Sequence, residues 1–442
     1  MTLAHADTLI IPRWLVPVRP QGDVLENQAL AIAGETIIEY LPVSDALARW
    51  PDARQVYLPD HVLMPGLVNA HTHAAMSLFR GFADDLRLQT WLHEHIWPAE
   101  ATWVSEDFVR DGSELAILEM LRGGITCFND MYFYPGATAQ VSTKAGIRAT
   151  LGMVLIDVPT AFAANMDDYF DRGKEFCDEW VENPLIHIAL APHSAFSLDN
   201  QHFERVIQIA EDMDAQIHMH VHETEWEISE SVADHGVRPL KRLQELGFIS
   251  PRLIAVHMAH LSDEEIQVVA EGGVEVVHCP ESNLKLASGF CPVAQLQAAG
   301  INVCVGTDGA ASNNDLDLLA EVRLAAILAK GLTADPETVT AAQALDMVTI
   351  NSAKALGLGD QIGSIESGKQ ADLCAIDLSY PETQPVHNVI SQVIYAAGRN
   401  QVSDVWVAGR RIMEGRDMRT MDETDILART AEWRRKLQQT DT

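Results

Sequence analysis

The sequence has few of the features that mark secreted, membrane or nucleic-acid-binding proteins. Its first residues lack the basic start, unbroken apolar run and small-residue cleavage site of a signal peptide. No apolar stretch approaches the roughly 18–20 residues needed to cross a bilayer. Its 31 basic residues are outnumbered by 63 acidic ones, and no basic patch is present that would bind a phosphate backbone. We therefore expect a cytoplasmic protein that binds neither membrane nor nucleic acid.

Closely spaced cysteine pairs are also missing. The six cysteines stand apart, at positions 127, 177, 279, 291, 304 and 374. Disulfide frameworks belong to short secreted chains, whereas zinc knuckles and the cytidine-deaminase type of site need a CxxC pair. We expect reduced and mostly buried thiols with no role in metal binding.

Apolar stretches of strand length alternate with helical patterns through most of the chain. Helical patterns include Ser105–Arg122 and Leu261–Glu271, the second opening with the capping box Ser262-x-x-Glu265. This alternation predicts an α/β fold of the (β/α)8 TIM-barrel type over residues 63–370. The predicted strands are Val62–Asn69, Ile125–Asp130, Ile147–Val154, Leu185–Ala191, Ala215–Val221, Arg252–His257, Val274–His278 and Ile301–Thr307.

Short strand patterns flank the predicted barrel at both ends of the chain. Ala29–Ala33 and Thr36–Tyr40 are separated by the turn-forming pair Gly34-Glu35, and Ala371–Asp377 and Val402–Val407 lie near the other end. Each group is too short to form a core alone. We predict that residues 1–62 and 371–442 combine into one small β-sandwich, with a terminal helix at the end of the chain.

Histidines recur at the ends of two predicted barrel strands. His71 and His73 end the first, and a spacing of two places both imidazoles on one face. The fifth carries three histidines at the same spacing, which predicts that all three share a face: His218, His220 and His222. Several buried imidazoles on one face are a poor choice for plain packing, because each needs a hydrogen-bond partner.

Further polar residues stand at the same end of the predicted barrel. Glu223 follows the fifth strand, His257 ends the sixth and Asp308 follows the eighth. Barrel enzymes place their catalytic residues at the carboxyl ends of the strands. Together with the histidine pairs, these residues predict a metal-dependent active site.

The motifs PGLVNAHTH (65–73), His220-x-x-Glu223 and GTDGAASNN (306–314) resemble the amidohydrolase superfamily, in its single-metal deaminase branch. WLHEHIWPAE (91–100), APHSAFS (191–197), HCPESNLKLASG (278–289) and GSIESGKQADL (363–373) further resemble the 5-methylthioadenosine/S-adenosylhomocysteine deaminases. The resemblance extends from Leu63 to Asp372. It implies hydrolytic deamination of an adenosine-type nucleoside to the inosine analogue and ammonia.

The resemblance also implies which residues hold the metal. These are His71, His73, His220 and Asp308, with His220 chosen because the family's ligand stands three residues before the glutamate. Nitrogen and carboxylate ligands suit one Zn²⁺ per chain, and the ligand types leave iron or manganese open. Zinc lowers the pKa of a bound water to about 7, which supplies a nucleophile at neutral pH.

Other roles are carried over in the same way. Glu223 resembles the proton shuttle, and His257 resembles the histidine that orients the attacking water, whose proton Asp308 accepts. Glu100 and His193 resemble residues that hold the nucleoside, Glu100 on the ribose diol.

The sequence also bears on the 5′ substituent of the nucleoside. Arg148 is the one arginine in the segment where related deaminases bind the carboxylate tail of S-adenosylhomocysteine. Because a second cation is missing there, we predict that 5′-methylthioadenosine is preferred over S-adenosylhomocysteine.

Three alternatives stay open from the sequence. They are deamination of guanine or another aminopurine, a triazine-type chlorohydrolase, and a non-catalytic barrel of the same fold. Two-metal relatives bridge their metals with a carboxylated lysine on the fourth strand, and Leu185–His193 contains no lysine. We expect a small-molecule nucleoside as the partner, and a homo-oligomer.

Overall fold

The computed structural model describes residues 5–438, so the outermost residues of the two predicted terminal segments lie outside the described part. The amino-terminal segment contributes strands to a mixed sheet before the chain enters the barrel. These strands are β1 (Thr8–Leu15), β2 (Leu25–Glu26), β3 (Gln28–Ala33), β4 (Thr36–Pro42) and β5 (Arg54–Pro65).

Eight strands follow in a second sheet whose order is the order of the chain, from β6 to β13. They form the nearly closed barrel that the sequence predicts. Every residue of β6, β7 and β8 is buried, as expected of strands covered on both faces. The strands are β6 (Leu67–Thr72), β7 (Ile125–Tyr132), β8 (Arg148–Leu155), β9 (Ile186–Pro192), β10 (Gln216–Val221), β11 (Leu253–His257), β12 (Glu275–His278) and β13 (Val303–Val305).

The predicted first barrel strand, Val62–Asn69, divides at Gly66. Its first residues end β5 in the other sheet, and β6 begins at Leu67. A Cβ at Gly66 would lie 2.1 Å from the Thr126 hydroxyl oxygen, so the chain passes too close for any other residue. The apolar run is continuous, and hydrophobicity alone therefore does not reveal the division.

The last barrel strand approaches the first at the site end. The Asp308 amide donates to the His71 carbonyl at 3.0 Å. At Gly306 a Cβ would lie 2.6 Å from the His71 nitrogen, so this close approach also requires glycine.

The carboxyl-terminal segment completes the mixed sheet. Strand β5 pairs in parallel with β1 and antiparallel with β14, which joins the two ends of the chain as predicted. Leu9 and Ile10 lie in different apolar clusters, because successive side chains of a strand point to opposite faces. The added strands are β14 (Leu373–Asp377), β15 (Val402–Val407), β16 (Arg410–Glu414) and β17 (Asp417–Met418).

Helices connect the strands, and one helix follows the last strand of the mixed sheet. Within residues 5–438, no helix is long and apolar enough to cross a membrane. The predicted capping box is present, with Ser262 and Glu265 at the start of α10. The α-helices are α1 (Val43–Arg49), α2 (Leu88–Thr90), α3 (Trp97–Trp103), α4 (Glu106–Arg122), α5 (Pro135–Ala145), α6 (Met166–Trp180), α7 (Asn200–Met213), α8 (Glu225–His235), α9 (Pro239–Glu245), α10 (Asp263–Gly272), α11 (Pro280–Lys285), α12 (Val293–Ala298), α13 (Ala310–Asn313), α14 (Leu318–Thr333), α15 (Ala341–Met347), α16 (Ile350–Ala355), α17 (Val389–Tyr395) and α18 (Glu423–Leu437). A π-helical turn covers Trp91–Ile96, and 3₁₀ turns cover Ala74–Phe79, Pro381–Thr383 and Arg399–Gln401.

The described residues form two compact units. The candidate site residues of the sequence analysis all belong to the second. The first unit lies within Met1–Asn69, Glu119–Cys127 and Asp317–Met421, and the second within Ala70–Leu118, Phe128–Leu316 and Asp422–Thr442.

We predict that Gly306→Ala destabilises the protein by about 1–3 kcal/mol, the usual cost of overpacking a core. The added methyl group would push on the backbone of His71 and cannot be relieved by a side-chain rotation. Thermal or urea unfolding measures the change. Gly331→Ala is the matched control: nothing lies within 4 Å of its Cβ position in α14, and alanine there should stabilise by about 0.5–1 kcal/mol. Unchanged stability of Gly306→Ala would contradict the close approach.

Candidate active site

Four potential metal-binding atoms meet at the carboxyl ends of the barrel strands. His71 and His73 stand at the end of β6, His220 in β10, and Asp308 just after β13. The Asp308 Oδ1 atom lies 3.2 Å from His71 Nε2 and 3.3 Å from His73 Nε2. His220 Nε2 lies 3.3 Å from His71 Nε2. These four residues, which the sequence places at the ends of three different strands, thus lie close together.

The spacing of the four atoms fits a small divalent ion. Ligands at about 2.0–2.1 Å from Zn²⁺ in a tetrahedron would lie about 3.3–3.4 Å from one another. Three of the six separations, those of Asp308 from His71 and His73 and that of His220 from His71, match this edge length. Imidazole nitrogens with one carboxylate oxygen are also a donor set that zinc prefers. The cluster is therefore suited to a divalent metal.

Hydrogen bonds on the far side of two imidazoles fix their orientation. His73 Nδ1 donates to the Met131 carbonyl at 2.6 Å, and His220 Nδ1 donates to the His193 carbonyl at 2.8 Å. A neutral imidazole that donates through Nδ1 keeps a lone pair on Nε2. Such partners set the tautomer and angle of metal-binding histidines.

Asp308 is held by two hydroxyl groups. Its Oδ2 atom accepts from Ser282 Oγ at 2.6 Å and from Ser312 Oγ at 2.7 Å, which leaves Oδ1 toward the histidines. Burial disfavours the charged form, but hydrogen bonds to His71 and His73 outweigh it and hold the pKa of Asp308 well below its usual range. The residue therefore carries a negative charge into the cluster.

The histidines of β10 separate into different roles. His218 Nε2 lies 2.8 Å from His71 Nδ1, behind the cluster. His222 bonds instead to the His260 carbonyl and the Leu240 amide. The expectation that all three share one face is wrong for His222, because β10 ends at Val221 and a φ of +54° turns the backbone away.

Glu223 and His257 lie beside the cluster. Their Oε2 and Nε2 atoms are 3.8 Å apart. His257 Nδ1 donates to Asn283 Oδ1 at 3.3 Å, and Ser288 Oγ donates to Glu223 Oε1 at 3.4 Å. Burial raises the pKa of Glu223, with the charge of His257 opposing it. A carboxyl group that holds its proton more tightly can serve as a general acid.

Backbone strain accompanies this arrangement. His257 has a φ of +77° and Asp308 a φ of +62°, a left-handed conformation that is rare for residues other than glycine. Strain of this kind clusters at functional sites, where surrounding structure holds it in place.

A cavity of about 1290 Å³ opens above the cluster. Its lining includes His73, His220, Glu223, His257 and Asp308. Apolar and aromatic side chains make up much of the remaining wall, among them Trp91, Leu92, Trp97, Phe133, Val154, Ile156 and Phe162. The mixture of apolar wall and a few convergent polar groups is typical of a small-molecule site.

Two further predicted residues face this cavity. Glu100, from α3, accepts a hydrogen bond from the Tyr132 hydroxyl at 2.7 Å, and burial raises the pKa of its carboxyl to about 7. Burial lowers the pKa of His193 to about 4, so its ring is neutral. Its buried Nδ1 atom has no hydrogen-bond partner among the described residues. Both side chains are available to a ligand.

Comparison with known proteins agrees with this geometry. The Amidohydrolase family model matches residues 62–412, most of the chain. The chain belongs to the amidohydrolase family. It is 46% identical over 424 residues to a 5-methylthioadenosine/S-adenosylhomocysteine deaminase of Teredinibacter turnerae, with 96% of each chain covered.

Solved structures extend the comparison. The chain is similar to an adenosine deaminase from Xanthomonas campestris with bound zinc, with 52% identity and a TM-score of 0.97 over 98% of this chain and 99% of that one. It is also similar to the zinc complex of atrazine chlorohydrolase from Arthrobacter aurescens, with 26% identity and a TM-score of 0.90 over 96% and 99%. The family resemblance stated from the motifs is thereby confirmed.

One predicted substrate contact of this amidohydrolase does not reach the cavity. Arg148 is the first residue of β8, at the amino end of the strand and far along it from the site. Its guanidinium is buried and donates to the Pro184 carbonyl at 3.0 Å. Arg148 is not among the described residues that line the cavity. The prediction that it binds the substrate is therefore wrong, because the first residue of a barrel strand lies at the opposite end of the barrel from the last.

Sequence reasoning also missed several residues of the amidohydrolase site. Ser282 and Asn283 stand in HCPESNLKLASG, and Ser312 stands in GTDGAASNN, four residues after Asp308. Their presence in motifs already singled out was the available signal. Tyr132 had no such signal, because it lies two residues beyond the end of the predicted strand Ile125–Asp130.

We predict that His220→Gln loses most of its bound divalent metal, because one of four converging ligands is removed. His222→Gln is the matched control two residues further along the chain, since the hydrogen bonds of His222 lie outside the cluster. Metal analysis of protein dialysed against a weak chelator should give about one ion per chain for the wild type and the control. Equal metal content in His220→Gln would remove His220 from the ligand set, and loss of metal in His222→Gln would show that the loss is not specific to His220.

Proposed function

We propose that this amidohydrolase deaminates an adenosine-type nucleoside by hydrolysis, with 5′-methylthioadenosine preferred over S-adenosylhomocysteine. The observation that carries the proposal is the Glu223–His257 pair beside a four-ligand metal cluster, on the wall of a cavity that also presents Glu100. The names of the relatives support the same reaction. The products are the inosine analogue and ammonia.

We propose that one Zn²⁺ is held by His71, His73, His220 and Asp308. The ligand spacing supports this, as do the zinc-containing structures of two relatives. When bound, zinc lowers the pKa of a water to about 7 and so supplies a nucleophile at neutral pH.

The chain's own residues supply the proton transfers. Addition of water at C6 of the purine needs a proton on ring N1, and the raised pKa of Glu223 suits it to donate that proton. His257 Nε2 accepts a hydrogen bond from the attacking water and orients it. Asp308 takes up the water's proton, which then passes to the leaving amine so that it departs as ammonia. The second proton of the water passes to Glu223 and replaces the proton given to N1, so both water protons are accounted for in the inosine analogue and ammonia.

Nucleoside binding is assigned to two residues. We propose that Glu100 accepts hydrogen bonds from the ribose hydroxyls, since its carboxylate faces the cavity and engages only Tyr132 among the described residues. The partnerless Nδ1 of His193 is suited to a second polar contact with the nucleoside.

The charges around the cavity favour an uncharged 5′ substituent. Arg242 is the one lysine or arginine in the described lining, and its guanidinium already donates to the carbonyls of Ala195 and Leu198 and to Asn200 Oδ1. Asp157 and Asp199 also line the cavity. Among the described lining residues, a carboxylate tail would meet acidic groups and no lysine or arginine that lacks a hydrogen-bond partner.

We further propose a cytoplasmic location, which the six free cysteines support because disulfides are rare there. A homo-oligomer remains an expectation from the family resemblance. Size-exclusion chromatography with light scattering measures it directly.

We predict that 5′-methylthioadenosine releases ammonia with a kcat/KM at least about tenfold above that of S-adenosylhomocysteine, a difference of about 1.4 kcal/mol in transition-state binding. The physical reason is the missing cation for the amino-acid carboxylate. A coupled ammonia assay gives both values and also tests guanine as a substrate, while chloride release tests atrazine as the substrate of the alternative chlorohydrolase activity. Equal or better turnover of S-adenosylhomocysteine would contradict the preference, and turnover of guanine or atrazine alone would overturn the proposed function.

We predict that Glu223→Gln lowers kcat by roughly 10²–10⁴-fold, the usual contribution of general acid–base catalysis. The amide keeps the size and hydrogen bonding of the side chain but cannot transfer a proton. Steady-state kinetics with 5′-methylthioadenosine measure the change, and metal content should stay near the wild-type value. A near-normal kcat would show that Glu223 is not the proton shuttle.

A further inference from the structure

Tyr132 is a polar residue in the cavity wall that the mechanism above does not use. It is the last residue of β7, is only 5% exposed, and lines the cavity. Its hydroxyl donates to Glu100 Oε1 at 2.7 Å. Glu100 lies on α3, 32 residues earlier in the chain, so this bond ties a helix to a barrel strand.

The bond is the one hydrogen bond that the Glu100 side chain makes with the described residues. It occupies Oε1 and leaves Oε2 without a hydrogen-bond partner among residues 5–438. Burial raises the pKa of the Tyr132 phenol well above its usual value, so the hydroxyl stays protonated and remains a donor. The carboxylate is thus held at one oxygen while the other is free for a ligand.

Packing alone does not explain the hydroxyl. The ring of Tyr132 contacts that of Phe133, with centroids 5.4 Å apart, and belongs to an apolar cluster that a phenylalanine would fill equally well. A buried hydroxyl costs free energy unless it is hydrogen-bonded. Among the described residues, its hydrogen-bond partner is the Glu100 carboxylate in the cavity, which points to a role in the site.

We propose that Tyr132 is the positioning residue for Glu100, and that its hydroxyl sets how strongly the site prefers ribonucleosides to 2′-deoxyribonucleosides. The inference rests on the proposed function, in which Glu100 binds the ribose hydroxyls. A site built to bond a hydroxyl discriminates strongly against substrates that lack it, provided its acceptor is held in place. Without Tyr132 the carboxylate can rotate, and the preference falls.

The test is the ratio of kcat/KM for an adenosine-type ribonucleoside to that for its 2′-deoxy analogue. In Tyr132→Phe the ratio should fall about tenfold, through a higher KM for the ribonucleoside. Tyr169→Phe is the matched control: it removes a hydroxyl that lies 2.7 Å from Thr160 Oγ1 and makes no hydrogen bond with Glu100. The control should keep the wild-type ratio even where its melting temperature falls.

A second comparison separates positioning from a general loss of structure. In a Glu100→Gln background, which has already lost the carboxylate, Tyr132→Phe should change the ratio no further. If Tyr132→Phe does not fold, Tyr132→Met removes the same hydroxyl and gives the same readout. An unchanged ratio in the folded variant, or an equal fall in the control, would overturn the inference.

The outcomes also distinguish failure of this inference from failure of the proposed function. A wild-type protein that releases no ammonia from any adenosine-type nucleoside overturns the proposed function and the inference together. A wild-type enzyme that prefers ribonucleosides, with the same preference in Tyr132→Phe, overturns the role of Tyr132 alone.

Discussion

The site depends on the closure of the barrel at Asp308. The Asp308 amide bonds to the His71 carbonyl, while its carboxylate lies 3.2 Å and 3.3 Å from the imidazoles of His71 and His73. One residue therefore joins the last strand to the first and completes the ligand set. Gly306 allows this approach because no side chain fits there. If Asp308 moved away from His71, the barrel would open and the metal ligands would separate. The fold and the site therefore depend on the same contact.

Hydrogen bonds fix the orientation of the metal ligands around that closure. The Met131 and His193 carbonyls fix two imidazoles, and Ser282 and Ser312 fix the Asp308 carboxylate. Such hydrogen bonds matter because metal sites and catalytic groups lose efficiency when they are displaced by small fractions of an ångström. Glu100 is fixed in a similar way, because the Tyr132 hydroxyl donates a hydrogen bond to one of its carboxylate oxygens.

Much of the fold and of the site could be predicted from the sequence, because the patterns that indicate them are formed by residues close together in the chain. Strands of an α/β barrel are buried runs, and their side chains alternate, so His71 and His73 had to share a face. The same rule failed at His222, because the strand ends one residue earlier and the backbone turns. The rule also does not assign Arg148, because alternation along a strand does not show that Arg148 stands at the amino end, away from the site.

The sequence by itself determined the barrel, the joined terminal segments, the family and the residues at the strand ends, because periodicity and motif spacing are properties of consecutive residues. Only the tertiary structure decided that Asp308 closes on His71, that His218 stands behind the cluster, and that Tyr132 meets Glu100. These pairs come from elements far apart in the chain. Their contacts depend on strand ends, loop paths and close backbone approaches, and no local pattern of residues encodes those distances.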